Sequence, residues 1–244
     1  MTCQVPVIII SAMKLEIAQL EKALEHPEVY NVQPFPYTSG TLSGKPVILC
    51  TGGVGKANAA AATAAMLERF KPEVVINTGC AGAYLNSGLA VGDIVIAETE
   101  IFGDEGAHVA EGWIELSAME LPLLKKQGVR YFNQIPLSQT LTRQALRNTM
   151  QCGHKTVCGK SVTVSSCSGT LQQGDDLAQR FQALCENMEG AAVALTCLRY
   201  GVECLEVRGI SNMVEGRNLE GWDIELAVAR AQELLIRFIA EMPA

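Results

Sequence analysis

The sequence predicts an α/β fold: a three-layer sandwich with a central mixed β-sheet. Two patterns carry this expectation. Short apolar runs of strand length alternate with longer segments whose apolar residues recur every three or four positions. An early pair of strands around Ser43-Gly44-Lys45-Pro46 reads as a hairpin, which makes the sheet mixed rather than purely parallel. No repeat or low-complexity linker interrupts the alternation, so residues 1–244 are expected to form one domain.

Taken in order, Val5 to Ile10 is a continuous apolar run, as in a strand buried on both faces, and Ala12 to His26 follows with helical spacing at Met13, Ile17, Leu20 and Leu24. The hairpin strands run from Tyr37 to Leu42 and from Val47 to Thr51. The glycine-rich loop Thr51 to Lys56 then opens an alanine-rich helix ending at Phe70. Ala57 stands where a phosphate-binding loop needs Ser or Thr, so this loop is expected to bring backbone close to a small ligand rather than to cradle a triphosphate.

Glu73 to Thr78 and Gly92 to Glu98 read as further strands, the first ending in the small residues Gly79 to Ala83. Phe102 to Leu116 is mixed and reads as a long excursion that covers a substrate. Helices are expected over Ser138–Met150, with Ser138 as cap, and over Asp175–Cys185; Lys155 to Ser166 is strand-like. A small-residue helix follows Glu189, Val202 to Ile210 is a strand, and Asp223 to Met242 closes as a long amphipathic helix.

Composition excludes several classes of function. Hydrophobic residues at 48% and charged residues at 18% allow a large core and leave no signature of disorder. The net charge of −7, without any Lys/Arg cluster, argues against a nucleic-acid partner. The nine cysteines are odd in number, never spaced as C-x-x-C and mostly remote from the three histidines. They imply thiols in a reducing compartment and no metal site. The start lacks a basic region before an apolar run, and nowhere do 18 apolar residues succeed one another. A soluble, cytoplasmic protein with no membrane partner and no cofactor is expected.

Three polar residues stand out from this background. Glu16 lies three residues after Met13 and four before Leu20, along the buried stripe of its helix. Glu189 precedes the stripe Ala191, Ala192, Leu195, Leu198, at the edge of a buried face where an unpartnered carboxylate is costly. A first-turn acid favoured by the helix dipole explains Glu189 equally well at this stage. Asn212 follows an apolar strand, and the carboxyl ends of strands are where open α/β sheets bind ligands.

Four pieces, SAMKLE (Ser11 to Glu16), TGGVGK (Thr51 to Lys56), NTGCAGA (Asn77 to Ala83) and NMEGAA with RGISN (Asn187 to Ala192, Arg208 to Asn212), resemble the purine nucleoside phosphorylase and nucleosidase superfamily. The resemblance spans nearly the whole chain, and its nearest branches are the methylthioadenosine/S-adenosylhomocysteine nucleosidases and the futalosine hydrolases. The run from Glu186 to Asn212, followed by GWDIELA, is similar to the latter.

That resemblance implies a nucleoside phosphorylase-like fold, a small-molecule nucleoside substrate and a homo-oligomer. It implies Glu16 as the carboxylate that activates water, Glu189 as the holder of the ribose hydroxyls and Asn212 as the purine-reading residue. Val54, Cys80, Ala81 and Gly82 match the floor beside sugar and base, Ser166 and Cys167 the wall against the base, Met188 the residue packed on the ribose, and Trp222 an aromatic position over the base. Two carboxylates suit a reaction in which positive charge grows on the sugar. Asn212 stands where adenine-cleaving members carry Asp, so a 6-oxopurine is expected rather than adenine. Asn77, near the place of an arginine in bacterial phosphorylases, favours water over phosphate as nucleophile, with Lys14 the one residue able to compensate. A catalytically silent nucleoside-binding protein on the same fold is the competing class.

Overall fold

The protein is described by a computed structural model covering residues 5–149, 153–216 and 219–242. It begins with β1 (Val7–Ser11), buried throughout, followed by a 3-10 turn (Lys14–Ile17) and the short helix α1 (Ala18–Ala23). The continuous helix expected over Ala12–His26 is therefore cut at both ends. At the first end, the Glu16 carboxylate accepts from the N–H groups of Ala12 and Met13, both at 2.9 Å, and Met13 stays extended. At the other, Pro27 disfavours helix in the residue before it, and the chain enters the edge strand β2 (Glu25–Tyr30), which periodicity did not reveal.

The hairpin is β3 (Tyr37–Leu42) and β4 (Lys45–Thr51), turning at Ser43 and Gly44, which both take positive φ as a two-residue turn requires. Helix α2 spans Lys56–Phe70. Strand β5 (Val74–Tyr84) does not stop at Thr78 but runs through the small residues, because other strands pair with it on both sides there.

After β6 (Ile94–Phe102), the excursion holds the hairpin β7 (Gly106–Val109) and β8 (Gly112–Glu115). A second small hairpin, β9 (Leu124–Lys126) and β10 (Val129–Tyr131), and the strand β11 (Gln134–Pro136) lead to α3 (Gln139–Thr149). As expected, Ser138 caps α3, accepting from the Leu141 N–H at 3.3 Å.

Strand β12 (Thr156–Thr163) precedes α4 (Leu171–Phe181), which starts four residues earlier than its apolar spacing suggests because Thr170 caps it. The end of that expected helix is instead the strand β13 (Cys185–Asn187). Helix α5 (Gly190–Tyr200), β14 (Glu203–Val214) and α6 (Ile224–Glu241) complete the chain.

The main sheet runs β11-β6-β12-β13-β5-β1-β4-β3-β2, with β14 paired to both β5 and β6. Strands β4, β1, β5 and β14 are mutually parallel, and β3, β2 and β11 add antiparallel edges. Because β5 pairs with β14 and β13, while β6 pairs with β14 and β12, the pairing closes on itself at one end of the sheet.

Alternate residues of β1 feed opposite cores. Ile9 faces the side of α1, α3 and α6 with Leu49, Leu234 and Phe238, whereas Ile8 and Ile10 face α2 and α5 with Ala62, Met66 and Val193. These are the three layers expected. Among the described residues no helix is long and apolar enough to cross a membrane.

Candidate functional site

The carboxyl ends of β1, β4, β5 and β14 lie side by side, and the polar residues singled out by sequence gather there. At their centre is Arg208 of β14, only 1% exposed. Its Nε donates to Glu206 at 2.7 Å. Nη1 donates to Glu189 and to the Cys80 carbonyl, and Nη2 to Asn187 Oδ1, each at 3.4 Å. Burial works against its charge, but the carboxylates of Glu206, Glu189 and Glu16 outweigh that and hold the guanidinium protonated.

Glu189 sits at the N-cap of α5 but caps nothing. The first N–H groups of the helix are met by other side chains: Asn187 Oδ1 accepts from Glu189 and Gly190, and Thr163 Oγ1 from Ala191. The Glu189 carboxylate is thus released to face the site, where Oε1 accepts from the Gly55 N–H at 2.9 Å and Oε2 from Arg208. This removes the dipole-only explanation of its position.

Glu16 is 2% exposed. Besides the two bonds from Ala12 and Met13, its Oε1 accepts from the Cys80 N–H at 3.1 Å. Burial raises its carboxyl above the ordinary value, and the Glu189 charge adds to this; Arg208 and the backbone donors offset only part of it. The close approach depends on Gly79, where a β-carbon would lie 2.5 Å from Glu16 Oε1 and 2.8 Å from Arg208 Nη1. Cys80, half-buried beside Glu16, has its thiol pushed up to about 11 by burial and then by the Glu16 charge, so it stays protonated.

Asn212 lies past a register shift in β14, opposite Gly82. Ser211 Oγ donates to its Oδ1 at 2.8 Å, which fixes the amide, and its Nδ2 lies over Gly82 with one bond to the Met213 carbonyl. Asn212 shares a recess with Gly82, Cys167, Ser168, Glu186 and Trp222, in which Glu186 accepts from both the N–H and the hydroxyl of Ser168.

Of the residues expected at the site, Glu16, Glu189, Cys80 and Asn212 are gathered near Arg208 and along β14. Ala81 is buried beneath Ser211, Met188 is half-buried beside Glu189, and Val54 is exposed in the loop before Gly55. Ser166 is exposed and lines a neighbouring recess of about 230 Å³ with Asp104, Trp113 and Arg180, which joins the first at Cys167 and Ser168. Lys14 is exposed and paired with Glu21, and Lys56 is tied to Asp104 and Glu105.

Arg208, Asn187, Glu186 and Glu206 have no assigned role in the sequence reading. The signal that could have found two of them is the pair of charges, Glu206 and Arg208, inside a run that otherwise reads as a buried strand. Among the described residues no group of three or more His, Cys, Asp or Glu side chains is arranged to hold a metal ion.

A profile of the family described as the phosphorylase superfamily matches residues 6–240. The chain belongs to the phosphorylase superfamily. Among its relatives, a futalosine hydrolase of Thermus thermophilus is 35% identical over 210 residues, 86% of this chain and 88% of that protein. A 5′-methylthioadenosine/S-adenosylhomocysteine nucleosidase of Staphylococcus saprophyticus is 33% identical over 211 residues, covering 85% and 86%. The S-adenosylhomocysteine nucleosidase of Streptococcus pyogenes, solved with 5-methylthiotubericidin, superposes with a TM-score of 0.86 at 25% identity, covering 100% of this chain and 99% of that one. These relatives cleave N-glycosidic bonds, and this superfamily member is a nucleosidase.

Replacing Arg208 by Met would leave Glu206 and Glu189 buried without their cation. Arg208→Met is expected to lose about 3–5 kcal/mol of stability in urea denaturation; an unchanged midpoint would show that the carboxylates find other donors.

Proposed function

We propose that this superfamily member is a futalosine hydrolase: it cleaves futalosine to hypoxanthine and dehypoxanthine futalosine, a step of menaquinone biosynthesis. The observation that carries the reading is Asn212, an amide held by Ser211 at the end of β14, where adenine-cleaving members of the superfamily carry an acid. An amide cannot protonate a departing adenine. It can donate to a ring nitrogen or carbonyl oxygen of a 6-oxopurine, whose departing anion is delocalised.

In this reading Glu16, with its raised proton affinity, takes a proton from water as the water attacks the anomeric carbon. Glu189 accepts from the ribose 2′ and 3′ hydroxyls and stabilises the positive charge that grows on the sugar. In the same reading Val54, Cys80, Ala81 and Gly82 form the floor beside sugar and base, Met188 packs on the ribose, Ser166 and Cys167 wall the base, and Trp222 covers it. Water is the nucleophile because Arg208 is already engaged by Glu206, Glu189 and Asn187, and Lys14 by Glu21. The reading includes a cytoplasmic homo-oligomer. Seven described cysteines without a disulfide are in keeping with a reducing compartment.

The second reading is methylthioadenosine/S-adenosylhomocysteine hydrolysis, which has a relative of similar identity in its favour and Asn212 against it. Chromatography after incubation with futalosine, inosine and methylthioadenosine separates the two. Hypoxanthine from futalosine is expected; adenine from methylthioadenosine with no hypoxanthine from futalosine would refute the proposal.

Glu16→Gln should lower turnover by roughly 10²- to 10⁴-fold while equilibrium nucleoside binding persists. Near wild-type turnover in that variant would remove Glu16 from its role.

A further inference from the structure

Behind Glu16 and Glu189, more carboxylates lie buried than Arg208 can neutralise. Glu206 on β14 and Glu100 on β6 are both completely buried. They meet at Gly190, where a β-carbon would lie 2.5 Å from the Oε1 atom of each, so no side chain separates them. Glu206 has the Arg208 Nε at 2.7 Å, the shortest bond that the guanidinium makes. Glu100 has only neutral donors, Asn187 Nδ2 at 2.8 Å and Thr163 Oγ1 at 2.6 Å. Glu206 Oε2 has no hydrogen-bond partner among the described residues.

We propose that Glu206 carries the single negative charge of this pair, with Glu100 neutral, and that Glu206 is a positioning residue that takes up the Arg208 charge so that less of the guanidinium's field falls on Glu16. The inference rests on Glu16 being the proton acceptor. With both acids ionised, four buried carboxylates would face one cation; with one neutral, Glu206 and Arg208 balance and Glu16 and Glu189 share the weaker remainder of the guanidinium's field.

The surrounding titratable groups do not alter this count. Burial pushes the Cys185 thiol up to about 12 and raises the Tyr84 phenol, while a hydrogen bond with Cys197 and burial raise Cys204, so all three stay neutral. Cys80, beside Glu16, is neutral as well. Burial and then the Glu206 charge lift the Glu100 carboxyl well above its ordinary value.

Arg208 lowers the proton affinity of Glu16, and a negative charge on Glu206, 2.7 Å from the Arg208 Nε, weakens the guanidinium's field at its neighbours. Since the base must be ionised to act, activity falls as the pH drops through the pKa of Glu16. A raised pKa sets that acid limb high, and loss of the Glu206 charge moves it down.

The test is the pH profile of kcat/KM with futalosine, or with methylthioadenosine should that be the nucleoside cleaved, for wild type and three variants. Glu206→Gln is expected to move the acid limb down by about 1 pH unit. Glu100→Gln replaces a neutral group by a neutral group and should leave the limb in place. Glu206→Asp keeps the charge and should also leave it in place, which serves where Glu206→Gln does not fold. An unmoved limb in a folded Glu206→Gln protein, a downward shift in Glu100→Gln, or a displaced limb in Glu206→Asp would each overturn the proposal. Those failures, with Glu16→Gln still inactive, would count against Glu206 alone; an active Glu16→Gln enzyme would instead strike the assignment of the base.

Discussion

A single buried guanidinium organises this end of the protein. Arg208 reaches side chains or backbone from β14, β13, β5 and the entrance of α5, and each of those elements presents an acceptor rather than a donor. A cation at 1% exposure is tolerable only with such partners, and the partners are tolerable only with the cation. Loss of either leaves uncompensated charge in the core. The strand pairing that closes β5, β13, β12, β6 and β14 on one another is what brings these acceptors from distant parts of the sequence to one point.

The same economy of donors explains why two carboxylates at one site behave differently. Glu189 is relieved of helix capping by Asn187 and Thr163, so its oxygens face a loop N–H and the guanidinium. Glu16 is held by three backbone N–H groups and sits deeper, where burial dominates and favours the protonated form. In the proposed hydrolysis the first is suited to hold hydroxyls and the second to accept a proton. Asn212 lies next to Gly82 and Ser211, and in the same proposal it selects the base by hydrogen bonding rather than by charge.

Much of this arrangement is legible in the sequence because burial leaves a periodic trace. Ile8, Ile9 and Ile10 announce a strand buried on both faces, and Glu16 is conspicuous because it interrupts an apolar stripe. Features set by tertiary pairing leave none. The strand β13 is only three residues long, and β5 continues through glycine and alanine because its neighbours supply the hydrogen bonds. The cut in the first helix depends on a carboxylate binding backbone N–H groups, which spacing cannot report. Arg208 was visible as a charge in an apolar run, but its partners Glu206, Asn187 and Glu189 become one network only once the chain is folded.

The chemistry of the site therefore turns on the proton affinity of one carboxyl beside one guanidinium. Carbon-13 NMR of protein labelled at the glutamate carboxyl carbons, titrated beside Glu16→Gln, isolates the signal that the substitution removes. This signal is expected to titrate above the ordinary glutamate value, because burial outweighs Arg208 and the backbone donors. A midpoint at or below the ordinary value would contradict it.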